Sequence, residues 1–280
     1  MRVLVFGHSG QVASELRGDA RVMAGLGRAA CDLTQPDAAE AAIAQYRPDA
    51  VINAAAWTAV DEAETHEAAA FALNADAAGD IARACAGRGL PLVHLSTDYV
   101  FAGTGTAPWK PEAKPAPLGA YGRSKLAGEA QVRAAAGAHV ILRTAWVFSA
   151  HGRNFVKTML RLSETRDALD VVEDQFGGPT PADAIAPACL SIAGQLLAAP
   201  EKSGTYHFSG VPEVSWAGFA REIFAQAGKP VAITGISGSA YKAPAQRPLN
   251  SRLDCQQTEA VFGLIRPDWR AGLGRVLAAG

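Results

Sequence analysis

Tyr121 and Lys125 stand four residues apart in Tyr121-Gly122-Arg123-Ser124-Lys125, a spacing that puts both side chains on one face of a helix. A phenol and an ammonium converging on one small molecule form an acid/base pair. The free phenol titrates near about 10, and a neighbouring cation favours the phenolate. The same spacing occurs on solvated helix faces, so the pair carries chemistry only if the rest of the chain builds a ligand site around it. Upstream, the apolar run from Pro91 ends on Ser96-Thr97-Asp98. Polar side chains at the end of a buried strand are placed to touch ligand, and a hydroxyl there can hydrogen-bond a carbonyl or its developing alkoxide. A capped turn is the structural alternative.

The elements that must position these groups read as a nucleotide-binding sheet. Arg2 to Phe6 is a short apolar strand, followed by Gly7-His8-Ser9-Gly10-Gln11-Val12-Ala13 and a helix-prone segment. Strand, glycine turn and helix is the order a dinucleotide site requires, with Gly7 for the tight turn and Gly10 for close approach of a pyrophosphate. A second strand spans Arg21 to Leu26. Past it comes Gly27-Arg28, with no acid before Asp32, so NADPH is tolerated and Arg28 is a candidate partner for its 2′-phosphate. Asp32-Leu33 would face the adenine region, or Asp32 is a turn residue ahead of Pro36. The helix Ala38 to Tyr46 leads to an apolar strand over Ala50 to Ala56, whose small residues before Trp57-Thr58 leave room for a cofactor. Asp61, Glu62 and Glu64 read as structural acids at a helix start. A long amphipathic helix covers about Ala68 to Arg88. A loop carrying Pro108, Pro111, Pro115 and Pro117 delivers the chain to Tyr121, and Val140 to Phe148 forms another buried strand. Trp146 near its end either packs on a sugar ring or fills core.

The remaining residues read as a smaller, substrate-facing part. The chain divides into a doubly wound Rossmann-type α/β domain over 1–148, rejoined by about 168–200, and a smaller α/β substrate domain from 149–167 and about 201–280. Helices are expected over Phe155 to Thr165, from a Thr180 cap to Ala199, and from a Ser215 cap to Gly228. The strand Leu169 to Glu173 is expected to rejoin the nucleotide sheet. Arg247, on a loose proline-bearing stretch, is either solvated or a bidentate clamp on a pyrophosphate.

Composition narrows the classes. Hydrophobic residues make up 49% and charged residues 19% of the 280, with a net charge of −1. That is ordinary globular composition, and it advertises neither a nucleic-acid nor a membrane partner. Cys31, Cys85, Cys189 and Cys255 are scattered, without metal or redox spacing, as expected for reduced thiols in a cytoplasmic protein. No apolar run has the length of a signal-peptide core or a membrane span.

Taken in order, the glycine turn, Asn53-Ala54-Ala55-Ala56, Ser96-Thr97-Asp98-Tyr99-Val100-Phe101, Tyr121-Gly122-Arg123-Ser124-Lys125 and Arg143-Thr144-Ala145-Trp146 resemble the extended short-chain dehydrogenases/reductases. Asp174-Gln175-Phe176-Gly177-Gly178-Pro179-Thr180 and Arg247-Pro248-Leu249-Asn250-Ser251-Arg252-Leu253 extend the likeness over nearly the whole chain. More narrowly, the chain resembles the dTDP-4-dehydrorhamnose reductases. The resemblance implies NAD(P)H-dependent reduction of a C4 keto group on a dTDP-linked 6-deoxyhexose, with Thr97, Tyr121 and Lys125 catalytic. It implies cofactor contacts from Gly10-Gln11-Val12, Asp32-Leu33 and Ala56-Trp57-Thr58, and sugar contacts from Asp98 and Trp146. Ala13 and Trp57 depart from the family pattern. Some members bind magnesium at a dimer interface, where Glu15 fits one ligand position; the other ligands are unassigned, and a homodimer is implied on the same ground. Another nucleotide-sugar epimerase or dehydratase, or a non-catalytic NAD(P)-binding regulatory subunit, is the alternative reading.

Overall fold

Val3–Phe6 forms β1, four apolar residues with no exposed surface. A strand buried on both faces belongs inside a parallel sheet, and β1 pairs in parallel with β2 (Val22–Leu26) on one side and β3 (Ala50–Asn53) on the other. The sheet continues through β4 (Leu92–Thr97), β5 (His139–Thr144) and β10 (Gly204–His207), giving the order β10-β5-β4-β3-β1-β2. All five pairings are parallel. The structure, a computed structural model, describes residues 1–279.

Helices cover both faces. α1 (Gln11–Arg17) and α8 (Ala182–Ala198) pack on one face around Val5, Ile52, Val93 and Ile192. α2 (Ala38–Tyr46), α5 (Ala77–Ala86) and α6 (Ala120–Ala134) cover the other, around Leu4, Phe6, Val51 and Ile81. This is the doubly wound Rossmann-type arrangement read from the sequence. The long helix expected over about 68–88 is present with an internal irregularity: α4 (Glu67–Phe71) passes through a π-helical turn, Ala72–Asp76, into α5. The short α3 (Val60–Ala63) precedes it.

The second half corrects the expected division. Helix α8 does rejoin the nucleotide-binding layer, but the strand before it does not. β7 (Ala168–Val172) pairs instead with β12 (Ala232–Ile236) in a separate two-stranded sheet. Its alternation explains this: Ala168 and Asp170 are exposed while Leu169 and Val171 are buried, a pattern for a strand covered on one face. The vacant edge beside β5 is taken by β10, where Tyr206 and His207 are buried.

Around β7 lies the core of the smaller part. α7 (Phe155–Leu162), α9 (Trp216–Gln226) and α11 (Trp269–Ala278) bury Val156, Met159, Phe219, Ile223 and Trp269 there. Caps on Asn154, Ser215 and Asp268 start the three helices. α10 (Gln256–Phe262) packs between α8 and β10. Short pairings tie the two parts together: β6 (Val147–Phe148) with β9 (Thr180–Pro181), and β8 (Phe176–Gly177) between β11 (Val214–Ser215) and β13 (Asn250–Ser251).

Two further expectations are corrected at this seam. The strand over 140–148 is broken, because Trp146 has φ of 50°, the left-handed region that a continuing strand does not use. Thr180 does not cap α8; its hydroxyl lies 2.7 Å from Ala145 O, holding the chain beside that break.

Candidate active site

α6 carries both members of the opening pair. Its first turn presses against the turn after β4, since a Cβ on Gly122 would stand 2.3 Å from Tyr99 O. Glycine therefore sits inside the Tyr-Gly-x-Ser-Lys stretch because the backbones touch. Glu64 Oε1 accepts from Ala120 N–H at 2.8 Å and satisfies a free donor of the helix start. Tyr121 is partly exposed and meets Tyr99 edge-on, ring centroids 5.5 Å apart. Lys125 is 2% exposed and donates to Leu95 O at 2.7 Å. Burial lowers its pKa to about 8, with Glu129 opposing.

Thr97 closes β4, and its hydroxyl donates to Asp98 Oδ1 at 3.0 Å and accepts from Tyr99 N–H at 3.1 Å. It also lies near enough to the Tyr121 phenol to favour its charged form. Asp98 is buried, its Oδ2 has no partner, and burial pushes its carboxyl up to about 6. Thr97, Asp98, Tyr121 and Lys125 thus meet at one end of β4. One electrostatic expectation is corrected here: the phenol pKa is raised, not lowered. Burial raises the Tyr121 pKa, the Asp98 carboxylate adds to it, and the Thr97 hydroxyl opposes.

The nucleotide side is built on the same sheet edge. Gly7 has φ of 124°, and a Cβ there would press on Ala54 at 3.1 Å and Ala13 at 3.3 Å. Ala13 is therefore the small residue against which the turn closes. A Cβ on Gly10 would meet nothing within 4 Å, so the backbone beside it is open to a bulky group. Gln11 bonds across to Val147 O, Ser149 and Asn154, which ties the turn to the smaller part. Val12 and Leu33 are buried, whereas Thr58 is exposed. Arg28 projects with its side chain 84% exposed, 3.5 Å from Asp32. Asp32 accepts from Thr34 N–H and Oγ1, so the turn role raised for it is filled.

Trp57, with Ala56 before it, is clamped by a residue that the sequence reading missed. Asn74, on the π-helical turn, accepts from Trp57 N–H at 2.8 Å, donates to Trp57 O at 3.1 Å and donates to Ser124 Oγ at 2.9 Å. It joins the loop after β3 to the residue preceding Lys125. π-turns commonly mark functional positions, but Asn74 lies inside an amphipathic run with no spacing signal.

Past the end of β5 stands an aromatic pair. Trp146 stacks on Trp216 with centroids 3.5 Å apart and planes 10° from parallel, and Gly177 lies against its ring. Trp216 was also missed, since in sequence it reads as the first residue after a helix cap. Arg247 donates to Asp61 Oδ2 at 2.8 Å and passes over Tyr241. Asp61 is therefore structural twice over, as an acid in the first turn of α3 and through a tertiary ion pair. Arg247 is held but not sealed, 23% of its side chain remaining exposed.

The whole chain, residues 1–280, matches the family model described as RmlD substrate binding domain. A dTDP-4-dehydrorhamnose reductase from Sinorhizobium fredii is 43% identical over 288 residues, covering 100% of this chain and 97% of the relative. The chain belongs to the dTDP-4-dehydrorhamnose reductase family. The Escherichia coli K12 member is 38% identical, with 99% and 97% coverage. A crystal structure of the Bacillus anthracis reductase in complex with NADP superposes with a TM-score of 0.92 at 32% identity, covering 100% of this chain and 99% of that one.

The chain presents an open glycine turn, small residues after β3 and a buried amine at one end of the parallel sheet. These fit a dinucleotide: the open space beside Gly10 leaves room for a pyrophosphate, and Ala54, Ala55 and Ala56 are partly exposed. Glu15, the position that resembles a magnesium ligand, lies 3.6 Å from His151. Among the described residues, no group of three or more His, Cys, Asp or Glu side chains is arranged to hold a metal ion. No helix among the described residues is long and apolar enough to cross a membrane.

Proposed function

We propose that this reductase-family chain uses NADPH to reduce the C4 keto group of dTDP-4-dehydro-L-rhamnose, giving dTDP-L-rhamnose, with Tyr121, Thr97 and Lys125 as its catalytic residues. The observation carrying the residue assignment is the meeting of these three side chains at one end of β4, beside the open glycine turn. The bound nicotinamide supplies the hydride that C4 receives. Tyr121 gives its proton to the carbonyl oxygen, leaving a hydroxyl on C4. A raised phenol pKa suits this direction, because the group must be protonated at neutral pH to act as the acid. Thr97 hydrogen-bonds the same oxygen, its hydroxyl turning from Asp98 as charge develops. The Lys125 amine, held by Leu95 O, is placed to bind the nicotinamide ribose and to stabilise the tyrosinate left after transfer.

Arg28, exposed just past the end of β2 and 3.5 Å from Asp32, supports a contact to the 2′-phosphate of NADPH. Trp146 with Asp98 is the reading for the sugar, and Arg247 for the nucleotide phosphates. The same reading makes the protein a cytoplasmic homodimer, to be checked by light scattering. The deciding experiment is loss of nicotinamide absorbance when NADPH meets dTDP-4-keto-6-deoxy-L-mannose. Tyr121→Phe should bind NADPH normally while turnover falls by orders of magnitude; normal turnover in that variant sinks the assignment. Tightly retained NAD with no net NADPH consumption would point to an epimerase or dehydratase instead.

A further inference from the structure

Behind Lys125 lies a polar chain that the reaction as described does not use. Asn53, the last residue of β3, and His94, on β4, are 2% and 0% exposed. Asn53 Nδ2 is 3.1 Å from His94 Nδ1, and His94 Nε2 is 3.4 Å from Lys125 Nζ. The amide cannot turn freely, because its Oδ1 already accepts from Ala55 N–H at 3.1 Å. Its NH2 group therefore faces the imidazole, which makes Nδ1 an acceptor. A neutral imidazole with Nδ1 accepting carries its proton on Nε2.

That proton points at the lysine. An ammonium has three donors and no acceptor, so a charged Lys125 would set N–H against N–H, whereas the neutral amine accepts. We propose that Asn53 and His94 are a positioning pair for the catalytic lysine, holding the imidazole proton on Nε2 against Nζ. The pair favours the neutral amine and so governs the pH at which Lys125 changes charge. Other groups bear on the same unit. Glu129, one helical turn along α6, favours the charged amine. His139 on β5 and Arg133 on α6 add to Lys125 in keeping the imidazole neutral, after burial itself. Tyr121 shares the face of Lys125 on α6.

The consequence for turnover rests on the catalytic assignment of Lys125, but the tautomer and the lysine titration do not. Asn53→Asp places a carboxylate where the amide NH2 stood. A carboxylate accepts only, so the imidazole proton must move to Nδ1, leaving Nε2 to accept from an ammonium. The first measurement uses the unaltered protein: 15N shifts of His94 should report the proton on Nε2, and a proton on Nδ1 overturns the inference whether or not any variant folds. The second follows Lys125 by its 13Cε shift, without cofactor. Asn53→Asp should weaken its acidity by roughly tenfold or more; an unmoved midpoint overturns the pair's influence. The alkaline limb of the pH–rate profile should move with that midpoint. A moved 13Cε titration with an unmoved rate profile upholds the pair and removes Lys125 from catalysis.

Discussion

Thr97 Oγ1 lies 3.0 Å from Asp98 Oδ1, so the hydroxyl proposed to face the reacting carbonyl is tied to a carboxyl group buried out of water. The pairing places two proton-carrying groups in sequence beside Tyr121. It also makes the site electrostatically costly, because Oδ2 of that carboxyl has no partner.

That cost gives a pH signature. Burial raises the Asp98 carboxyl from 3.8 to about 6. The native state therefore holds the proton more tightly than the unfolded chain. The resulting stabilisation is complete below the unfolded value and disappears as pH rises through the folded one. Asp98→Asn does not titrate. Between about pH 5 and about pH 8 the unaltered protein should lose about 1–2 kcal/mol relative to this variant. Urea unfolding at the two pH values measures the difference, and parallel stability curves would assign the carboxyl an ordinary pKa.

Asn74 joins the nucleotide side to the catalytic helix. Asn74→Ala leaves the Trp57 N–H and C=O without their partners and frees Ser124 from the loop. Each unsatisfied buried group costs about 1–3 kcal/mol, so the unfolding midpoint should drop clearly. The kinetic effect should fall on the KM for NADPH more than on that for the sugar nucleotide. Equal rises in both would reduce Asn74 to a general brace.

The Trp146–Trp216 stack separates a substrate wall from a packing device. Trp216→Ala removes the ring lying 3.5 Å from Trp146. An aromatic pair is worth about 0.5–1.5 kcal/mol beyond its area, so KM for the sugar nucleotide should rise by up to about tenfold. NADPH affinity, measured by fluorescence titration, should stay put. A matching loss of NADPH affinity would mean that the stack only holds the smaller part together.

What was legible in the sequence is what local pattern encodes. The unbroken apolar run at Val3–Phe6, the glycine turn after it and the four-residue spacing of Tyr121 and Lys125 each have a local cause, and the structure brings them together. The place of β7 was not legible, because Leu169 to Glu173 is apolar enough for a strand while its sheet is chosen by which face a distant element covers. Trp146 hid a chain reversal inside an apolar run, since a positive φ leaves no mark in side-chain type. Asn74, Trp216 and the Asn53–His94 pair act through contacts between residues 17 to 70 positions apart in the chain, and periodicity carries no information about such partners. The phenol's upward shift was missed for a related reason: spacing shows a neighbouring cation but not the desolvation that outweighs it.

Arg143 and Glu129 hold the site from behind. Both are essentially sealed, at 1% and 0% exposure, and two N–H groups of the guanidinium meet the carboxylate at 2.8 and 2.6 Å. Glu129 also accepts from Ser96 Oγ at 2.7 Å, and Arg143 donates to Pro111 O at 3.1 Å. The pair thereby links β4, α6, β5 and the proline-bearing loop. Desolvation works against the Glu129 charge, but the hydrogen bond and charge of Arg143 outweigh it, and the carboxyl is held below its ordinary value. Its stabilisation is thus present above the unfolded pKa and is lost as pH falls through the folded one. Arg143→Ala leaves the buried carboxylate with only Arg133 and Ser96 as partners and should cost about 3–5 kcal/mol. Glu129→Gln combined with Arg143→Met removes both charges and should recover a good part of that loss, because a buried pair owes much of its apparent strength to the penalty of breaking one side. Urea unfolding of the single and double variants measures it. Strictly additive losses would show that the two side chains stabilise the fold independently.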